Sequence, residues 1–354
     1  LKVPFGSGVR LGVGRLRRSN AMGTSGSCDS GGCQQCCEKK WPAGPSEMQE
    51  YHPRNKKEML KESVEMHAPA AVKESVEAEN NALEDVMADS YFARELEELR
   101  ELVNRGPDGE RPVFTFKSGA TYKGQWQGNQ RHGLGRQEWP DGASFTGQWI
   151  HNYAEGHGQF IHADGDVFIG QWRKSAAEGY GLYVHKHGLT TYRGQWVQDV
   201  QHGIGVEEWE GGSRYDGQFH WGKKQGYGVY SWPDGSLYMG QWDSNAINGY
   251  GHYMGKDGRE FQGLWREAVI HGCGRYTWPD GRTFRGQYAD DQKHGFGTFT
   301  WQDGRRFDGF WQHGKQHGYG ITSRSDGSVL KEGHWVRGQY LQESTPLSAD
   351  AAPP

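Results

Sequence analysis

The sequence predicts an all-β repeat fold: an elongated, single-layer, twisted antiparallel sheet of tandem β-hairpins, preceded by an acidic helix and a disordered N-terminal tail. A motif with a 23-residue period occurs in nine copies between residues 122 and 329. Within each copy, aromatic residues and glycines alternate with polar residues, which is the two-residue period of a strand. Only 34% of the chain is hydrophobic, whereas it contains 55 glycines and 13% aromatic residues. Aromatic side chains must therefore supply most of the buried area.

Residues 1–54 are predicted to be a tail that contains an acylation segment at 22–37. The chain begins with Leu1, and we expect translation to start at Met22, which gives the myristoylation pattern Met-Gly-x-x-x-Ser. One acyl chain binds membranes weakly, so stable anchoring needs a second signal, such as palmitoylated cysteines. The candidate acylation residues are Gly23, Cys28, Cys33, Cys36 and Cys37. The alternatives are an unmodified tail and a metal site, because the first three cysteines have the spacing of a plant-type ferredoxin cluster. The fourth ligand that such a cluster needs is missing at the required distance, so we predict no metal and no cofactor.

Residues 55–105 form a charged segment in which 71–105 are predicted to be one acidic, amphipathic helix. Its apolar stripe comprises Leu83, Val86, Met87, Phe92, Leu96, Leu99 and Val103. The Gly-Pro-Asp-Gly sequence at 106–109 ends the helix. One interpretation is that the stripe caps the first repeat and covers its sheet edge. The other is a dimerising coiled coil, and hence a homodimer, or a helix for a partner.

Each repeat is predicted to hold two strands and two turns, in a sheet spanning 106–338. In the first copy, Tyr122 to Trp126 form one strand and Gly133-Leu134-Gly135 begin the return strand. Asp141-Gly142 then turns the chain into the next copy, because glycine readily adopts a positive φ. Half-copies at 114–119 and 333–338 flank the array, and 339–354 are predicted to be a disordered tail.

The regular glycines of the strands indicate close approach of other groups. We expect Gly124, Gly133 and Gly135 to leave room for aromatic rings from neighbouring hairpins. The rings would then form a ladder on one face, which is the candidate partner-binding surface. Its predicted residues are Tyr122, Trp126, Trp139, Trp149, Trp172, Tyr192, Trp196, Trp209, Tyr215, Trp232, Tyr238, Trp242, Trp265, Trp278, Trp301 and Trp311.

The pattern Tyr-x-Gly-x-Trp, then Gly-x-Gly, then Asp-Gly resembles the MORN repeat (membrane occupation and recognition nexus). The resemblance implies an elongated antiparallel sheet with a groove for a partner helix or peptide, and roles in membrane apposition, cytoskeletal scaffolding and cilia. In some phosphatidylinositol phosphate kinases such repeats precede a catalytic domain. The sequence departs from the pattern at Phe219, Tyr288, His162, His185, Gly255 and Arg324, which interrupt the ladder.

Catalytic and metal chemistry are not indicated by the repeats. Five copies place a histidine before Gly-x-Gly, at His132, His202, His271, His294 and His317. Neighbouring copies lie about 10 Å apart along a sheet, too far to share one metal ion. No P-loop, nucleophile elbow or kinase motif occurs. A net charge of −4 gives no bias towards nucleic acid. Basic pairs such as Lys223-Lys224 allow only weak contact with anionic lipid.

These observations predict a non-catalytic scaffold that holds a protein helix or peptide on an aromatic-lined sheet. The expected location is the cytoplasm, at a membrane or at a cytoskeletal or ciliary structure, with N-terminal acylation as the tether. The alternative is a regulatory region of a phosphatidylinositol phosphate kinase-like enzyme. A purely structural ciliary component without lipid contact is a third hypothesis.

Overall fold

The computed structural model describes residues 91–102, 106–185 and 188–341. The predicted acylation segment and most of the predicted helical segment lie outside these residues. The described residues form an open antiparallel sheet of 22 strands and one short helix. This architecture confirms the predicted fold class. The chain divides into two compact units at Ala176 and Ala177.

The first unit contains the helix and seven strands. They are α1 (Leu96–Glu101), β1 (Gly109–Glu110), β2 (Phe114–Thr115), β3 (Thr121–Gln127), β4 (Gln130–Glu138), β5 (Ser144–Ile150), β6 (Tyr153–Ile161) and β7 (Val167–Arg173). Strands β3 to β7 pair with their neighbours in chain order, and β1 and β2 both pair with β3.

The second unit contains the remaining strands, the first of which begins at the unit boundary. They are β8 (Ala176–Val184), β9 (Thr191–Val197), β10 (Val200–Glu208), β11 (Arg214–His220), β12 (Lys223–Ser231), β13 (Leu237–Asp243), β14 (Ala246–Met254), β15 (Glu260–Arg266), β16 (Val269–Thr277), β17 (Thr283–Ala289), β18 (Gln292–Thr300), β19 (Arg306–Gln312), β20 (Lys315–Ser323), β21 (Val329–Val336) and β22 (Gln339–Leu341). Here too, neighbours in the chain pair antiparallel.

Two kinds of turn alternate along the array. A two-residue turn closes each hairpin, and in most copies both of its residues have positive φ, as Glu267 and Ala268 do (48° and 65°). This geometry matches the twist of the flanking strands. A five-residue turn then leads to the next copy, where Gly142 has a φ of 94° and Ala143 N donates to Asp141 Oδ1 at 3.1 Å. The predicted Asp-Gly turn is thus confirmed.

Paired glycines lie under the first aromatic ring of each hairpin. Gly124 faces Gly135 across β3 and β4. A Cβ on Gly135 would lie 2.2 Å from the hydroxyl oxygen of Tyr122, which is in the same hairpin and not in a neighbouring one. Gly133 has a different role from the predicted one. It has a φ of 74° and packs against the Gln125 amide, whose Oε1 accepts from Leu134 N at 2.8 Å.

The ends of the array differ from the prediction in detail. At the start, β2 pairs with β3 as the predicted half-copy requires, and β1 pairs with the other half of β3. At the end, β21 pairs with β22, so that strand structure continues to Leu341 instead of ending at 338. Within residues 91–102 the predicted helix is limited to Leu96–Glu101, because residues 91–95 form turns and Leu102 is extended.

We expect Gly228→Ala to lower the free energy of unfolding by about 1–3 kcal/mol, because the new Cβ would lie 2.4 Å from Cε2 of the buried Tyr215 ring. Gly211→Ala is the matched control, since no atom lies within 4 Å of its Cβ position. Urea denaturation of both variants checks this. Equal midpoints would contradict the role given to the strand glycines.

Candidate functional site

The predicted partner-binding aromatics lie on one face of the sheet strands, which we call the aromatic face. Twelve of the sixteen are buried, with side chains no more than 7% exposed. The four half-buried members all follow the second strand of a hairpin: Trp209, Trp232, Trp278 and Trp301. Most of the predicted set therefore packs the sheet, and these four are its accessible part. Partner contact by these residues stays a prediction.

Edge-to-face contacts join the buried rings of successive hairpins. Within the first hairpin the Tyr122 and Trp126 ring centroids are 5.0 Å apart, and Tyr122 also meets Trp149 of the next hairpin at 5.5 Å. The Trp149 indole nitrogen donates to the carbonyl of Gly135 at 3.2 Å. Each ring is thus fixed by a neighbouring copy as well as by its own.

In the first unit, the segment at 91–102 lies on the aromatic face. Phe92 is buried there, with its ring 5.3–5.8 Å from five other aromatic rings. These rings belong to Trp139, Phe145, Trp149, Phe160 and Trp172. Leu99 is buried as well. The described part of the predicted helical segment therefore covers the aromatic face of the first hairpins.

Glu95 of this segment is buried among hydrogen-bond donors. Its carboxylate accepts from Gln137 Nε2 at 3.0 Å, from Trp139 Nε1 at 3.3 Å and from Ser118 Oγ at 3.0 Å. Close by, Arg131 is fully buried, with its guanidinium carbon 4.4 Å from the Trp149 ring centroid. Burial lowers the pKa of Arg131 to about 10, and the Glu95 carboxylate opposes that fall. The segment therefore supplies a negative charge to a buried cation.

Two further cations lie on the aromatic face of the second unit. Lys224 donates to Glu207 at 2.7 Å, in an ion pair whose side chains are 6% and 2% exposed. Lys293 lies among aromatic rings, with its nitrogen 4.7 Å from the Phe299 centroid and 4.8 Å from that of Trp311. Burial lowers the pKa of Lys293 to about 8.

The opposite face presents the middle residue of Gly-x-Gly to solvent in most copies, with the buried Cys273 as an exception. Leu134 is 62% exposed in the first unit, and Tyr180, Ile204, Tyr227 and Phe296 are exposed in the second. The histidines before Gly-x-Gly lie at hairpin ends, where His132 meets His151 with ring centroids 5.4 Å apart. Within residues 91–102, 106–185 and 188–341, no group of three or more metal-ligating side chains comes together. Nor does any helix there have the length and apolar character needed to cross a membrane.

The nine copies match the family model described as "MORN repeat". The matched segments are 122–144, 145–167, 168–188, 192–214, 215–237, 238–258, 261–281, 284–305 and 307–329. The chain belongs to the MORN-repeat family. This MORN protein matches no other family model, and MORN repeats are non-catalytic units. None of the curated proteins matches it.

Several solved structures resemble the MORN protein at low identity. A mutant TCP10 domain of Danio rerio CPAP is 11% identical, with a TM-score of 0.34 over 64% of this chain and 100% of that one. The Drosophila melanogaster SAS-4 TCP domain, in complex with a proline-rich motif of Ana2, is 13% identical, with a TM-score of 0.30 over 54% of this chain and 99% of that one. These scores do not establish a shared fold.

We expect Phe92→Ala and Glu95→Gln to release the 91–102 segment from the sheet. The first removes an aromatic side chain whose burial is worth about 3–5 kcal/mol, and the second removes the charge beside Arg131. Hydrogen exchange should show faster exchange at 91–102 with little change in the later strands. Glu97→Gln, the same change at an exposed residue, is the control. Unchanged protection in both variants would contradict this role of the segment.

Proposed function

We propose that this MORN protein is a scaffold that holds a helix or peptide of a partner protein on its aromatic face. The supporting observation is that the protein's own segment at 91–102 occupies this face in the first unit through Phe92 and Glu95. A buried aromatic anchor next to a satisfied charge is the usual core of a peptide-binding surface. The half-buried tryptophans of the second unit offer similar rings to a partner.

The scaffold would be tethered at the cytoplasmic side of a membrane or at a cytoskeletal or ciliary structure. This part of the proposal rests on the sequence from Met22 to Cys37, which combines a myristoylation pattern with four cysteines. Attachment through the N-terminal region would leave the sheet available for a partner. Exposed basic pairs such as Arg173-Lys174 would add weak contact with anionic lipids, whereas Lys224 of the pair Lys223-Lys224 is buried in its ion pair with Glu207.

Substitutions on the two faces test which one binds. We expect Trp301→Ala, on the aromatic face, to reduce capture of partner proteins by the tagged full chain at least tenfold, as loss of a binding hot spot does. Tyr227→Ala on the opposite face is the control, because it removes a side chain that is 60% exposed. Quantitative mass spectrometry of the captured proteins measures both. The proposal fails if Tyr227→Ala loses the partners and Trp301→Ala keeps them.

A separate experiment tests the tether. We expect Gly23→Ala, in a chain expressed from Met22 with a C-terminal tag, to move the protein from the membrane fraction to the soluble fraction, because the acyl acceptor is lost. Replacement of Cys28, Cys33, Cys36 and Cys37 by serine should have a similar effect, since a single acyl chain anchors weakly. If Gly23→Ala leaves the partitioning unchanged, the acylation proposal is wrong, whereas the peptide-binding proposal is unaffected.

A further inference from the structure

The ninth residue after the first aromatic of each copy points towards the aromatic face, and it varies among the copies. In three copies it is a cation: Arg131, Lys224 or Lys293. In the other copies it is neutral: Ala154, Ala177, Gln201, Ile247, Ile270 or Gln316. A cation on an aromatic, largely buried face is costly unless its hydrogen-bond donors find acceptors. The environment of each cation therefore shows how that cost is met.

Carboxylates accompany two of these cations. Glu95, from the segment that lies on the first copies, acts on Arg131, and Glu207 forms a buried ion pair with Lys224. Lys293 differs, since no carboxylate within the described ranges lies at ion-pair distance from it and none affects its pKa. The charged group that does act on it is Arg282, which lowers its pKa further.

Aromatic rings surround the Lys293 ammonium on several sides. Their centroids lie 4.7–5.5 Å from its nitrogen and belong to Trp278, Phe284, Phe299 and Trp311. Ring faces attract a cation but do not accept the three hydrogen bonds that an ammonium can donate. Lys293 is also half-buried and not sealed, so an acceptor from outside can reach it.

The surroundings of Lys293 match those of Arg131 in two respects. Arg131 lies over Trp149 at 4.4 Å, and Lys293 lies over Trp311, the equivalent residue, at 4.8 Å. Trp139, whose indole nitrogen donates to Glu95, corresponds to the half-buried Trp301, whose indole nitrogen makes no such bond in the described sheet. Of the three donors to Glu95, the indole nitrogen of Trp139 therefore recurs in the second unit, as Trp301, without a carboxylate, whereas the positions of Gln137 and Ser118 hold Phe299 and Asp280.

We propose that Lys293 and Trp301 form a carboxylate-binding site for a partner segment that carries an aromatic residue three positions before a glutamate. This chemistry is that of Phe92 and Glu95, the bound segment of the first unit. The proposal rests on the proposed function and names the residue pattern that the partner presents. The glutamate accepts hydrogen bonds from Lys293 and Trp301, and the aromatic residue packs on the neighbouring rings.

The other charged and titratable groups near the site are compatible with an acidic ligand. Asp280 lies in the turn before β17, directly before Gly281. The equivalent residue in the first unit is Ser118, directly before Gly119. The Asp280 carboxylate is paired with Arg282 at 2.6 Å. Tyr288, opposite Lys293 on β17, has a buried hydroxyl, and burial raises its pKa. Tyr288 therefore remains neutral and does not repel a carboxylate.

Protonation of Lys293 gives the site a distinctive pH dependence. Its pKa is about 8 in the free protein, so it is mostly charged at pH 7 and mostly neutral above pH 8. A carboxylate ligand binds the charged form, hence binding raises this pKa and weakens as the pH rises. The apparent affinity should fall about tenfold between about pH 7 and about pH 9, in proportion to the charged fraction. An arginine at this position stays charged over that range and should remove the dependence.

The probe is a fluorescently labelled synthetic peptide of residues 91–102, acetylated and amidated, titrated into the full chain to about 1 mM. In the full chain the first unit already holds its own copy of this segment. We expect saturable binding that Lys293→Met weakens at least tenfold, and that Glu95→Gln in the peptide weakens similarly. Lys315→Met, which removes an exposed charge from the next hairpin, should bind as the unchanged protein does.

Three results would overturn the inference: no binding of the peptide, binding that Lys293→Met does not weaken, or a pH profile that Lys293→Arg does not flatten. Circular dichroism of each variant verifies that the sheet is retained, and Lys293→Arg preserves the charge if Lys293→Met disturbs folding. Exchange of the peptide with the protein's own segment would appear as binding that is insensitive to Lys293. Capture of partners through Trp301 can succeed even if this test fails, so the two proposals are distinguishable.

Discussion

Close approach of two glycines across each hairpin is the constraint on which the rest of the structure depends. Because Gly124 and Gly135 lack side chains, the Tyr122 ring occupies the space where their Cβ atoms would lie and is fully buried. Its hydroxyl then donates to the carbonyl of Gln125 at 2.9 Å, and its edge meets the tryptophan of the next copy. A thin sheet that cannot build a thick aliphatic core thus obtains a continuous buried layer from one ring and two glycines per copy. Each copy depends on its neighbours for this layer, as expected of a repeat protein.

Much of the fold is encoded locally and was therefore predictable from the sequence. The two-residue period gives the strands, Asp-Gly gives the turns between copies, and the 23-residue interval gives the hairpin count. The sequence predicted a turn within each hairpin but not its conformation, because residues such as Glu267 and Ala268 have no intrinsic preference for positive φ. The twist of the paired strands imposes that conformation, which is a property of the hairpin and not of the residues. The role of Gly133 could not be predicted either, because Gly133 packs against the Gln125 amide at a β-bulge that the sequence pattern does not reveal.

The candidate site shows the opposite balance between sequence and structure. The aromatic pattern identified the aromatic face. It did not indicate that most rings on this face are buried by packing against one another. Nor did the apolar stripe of the 55–105 segment indicate where Phe92 and Glu95 lie, since its periodicity is compatible with an edge, a coiled coil or a face. The distinguishing signal is Glu95 itself, an acidic residue within an apolar stripe. Its burial makes sense only beside the Arg131 guanidinium and the donors around it.

Variation among otherwise similar copies is what can make such a sheet selective. The glycines and rings that build each hairpin recur, so they offer similar contacts in each copy and cannot by themselves fix the register of a bound helix. The ninth residue after the first aromatic is not needed to build the hairpin, because aliphatic, amide and cationic side chains all occur there. A buried cation at one such position penalises every register that leaves its charge without an acceptor. The ion pair of Lys224 with Glu207 removes that penalty internally, whereas Lys293 retains it. A partner's carboxylate would then bind at the copy whose cation, Lys293, has no carboxylate of its own. The recurring rings would supply contact area in any register.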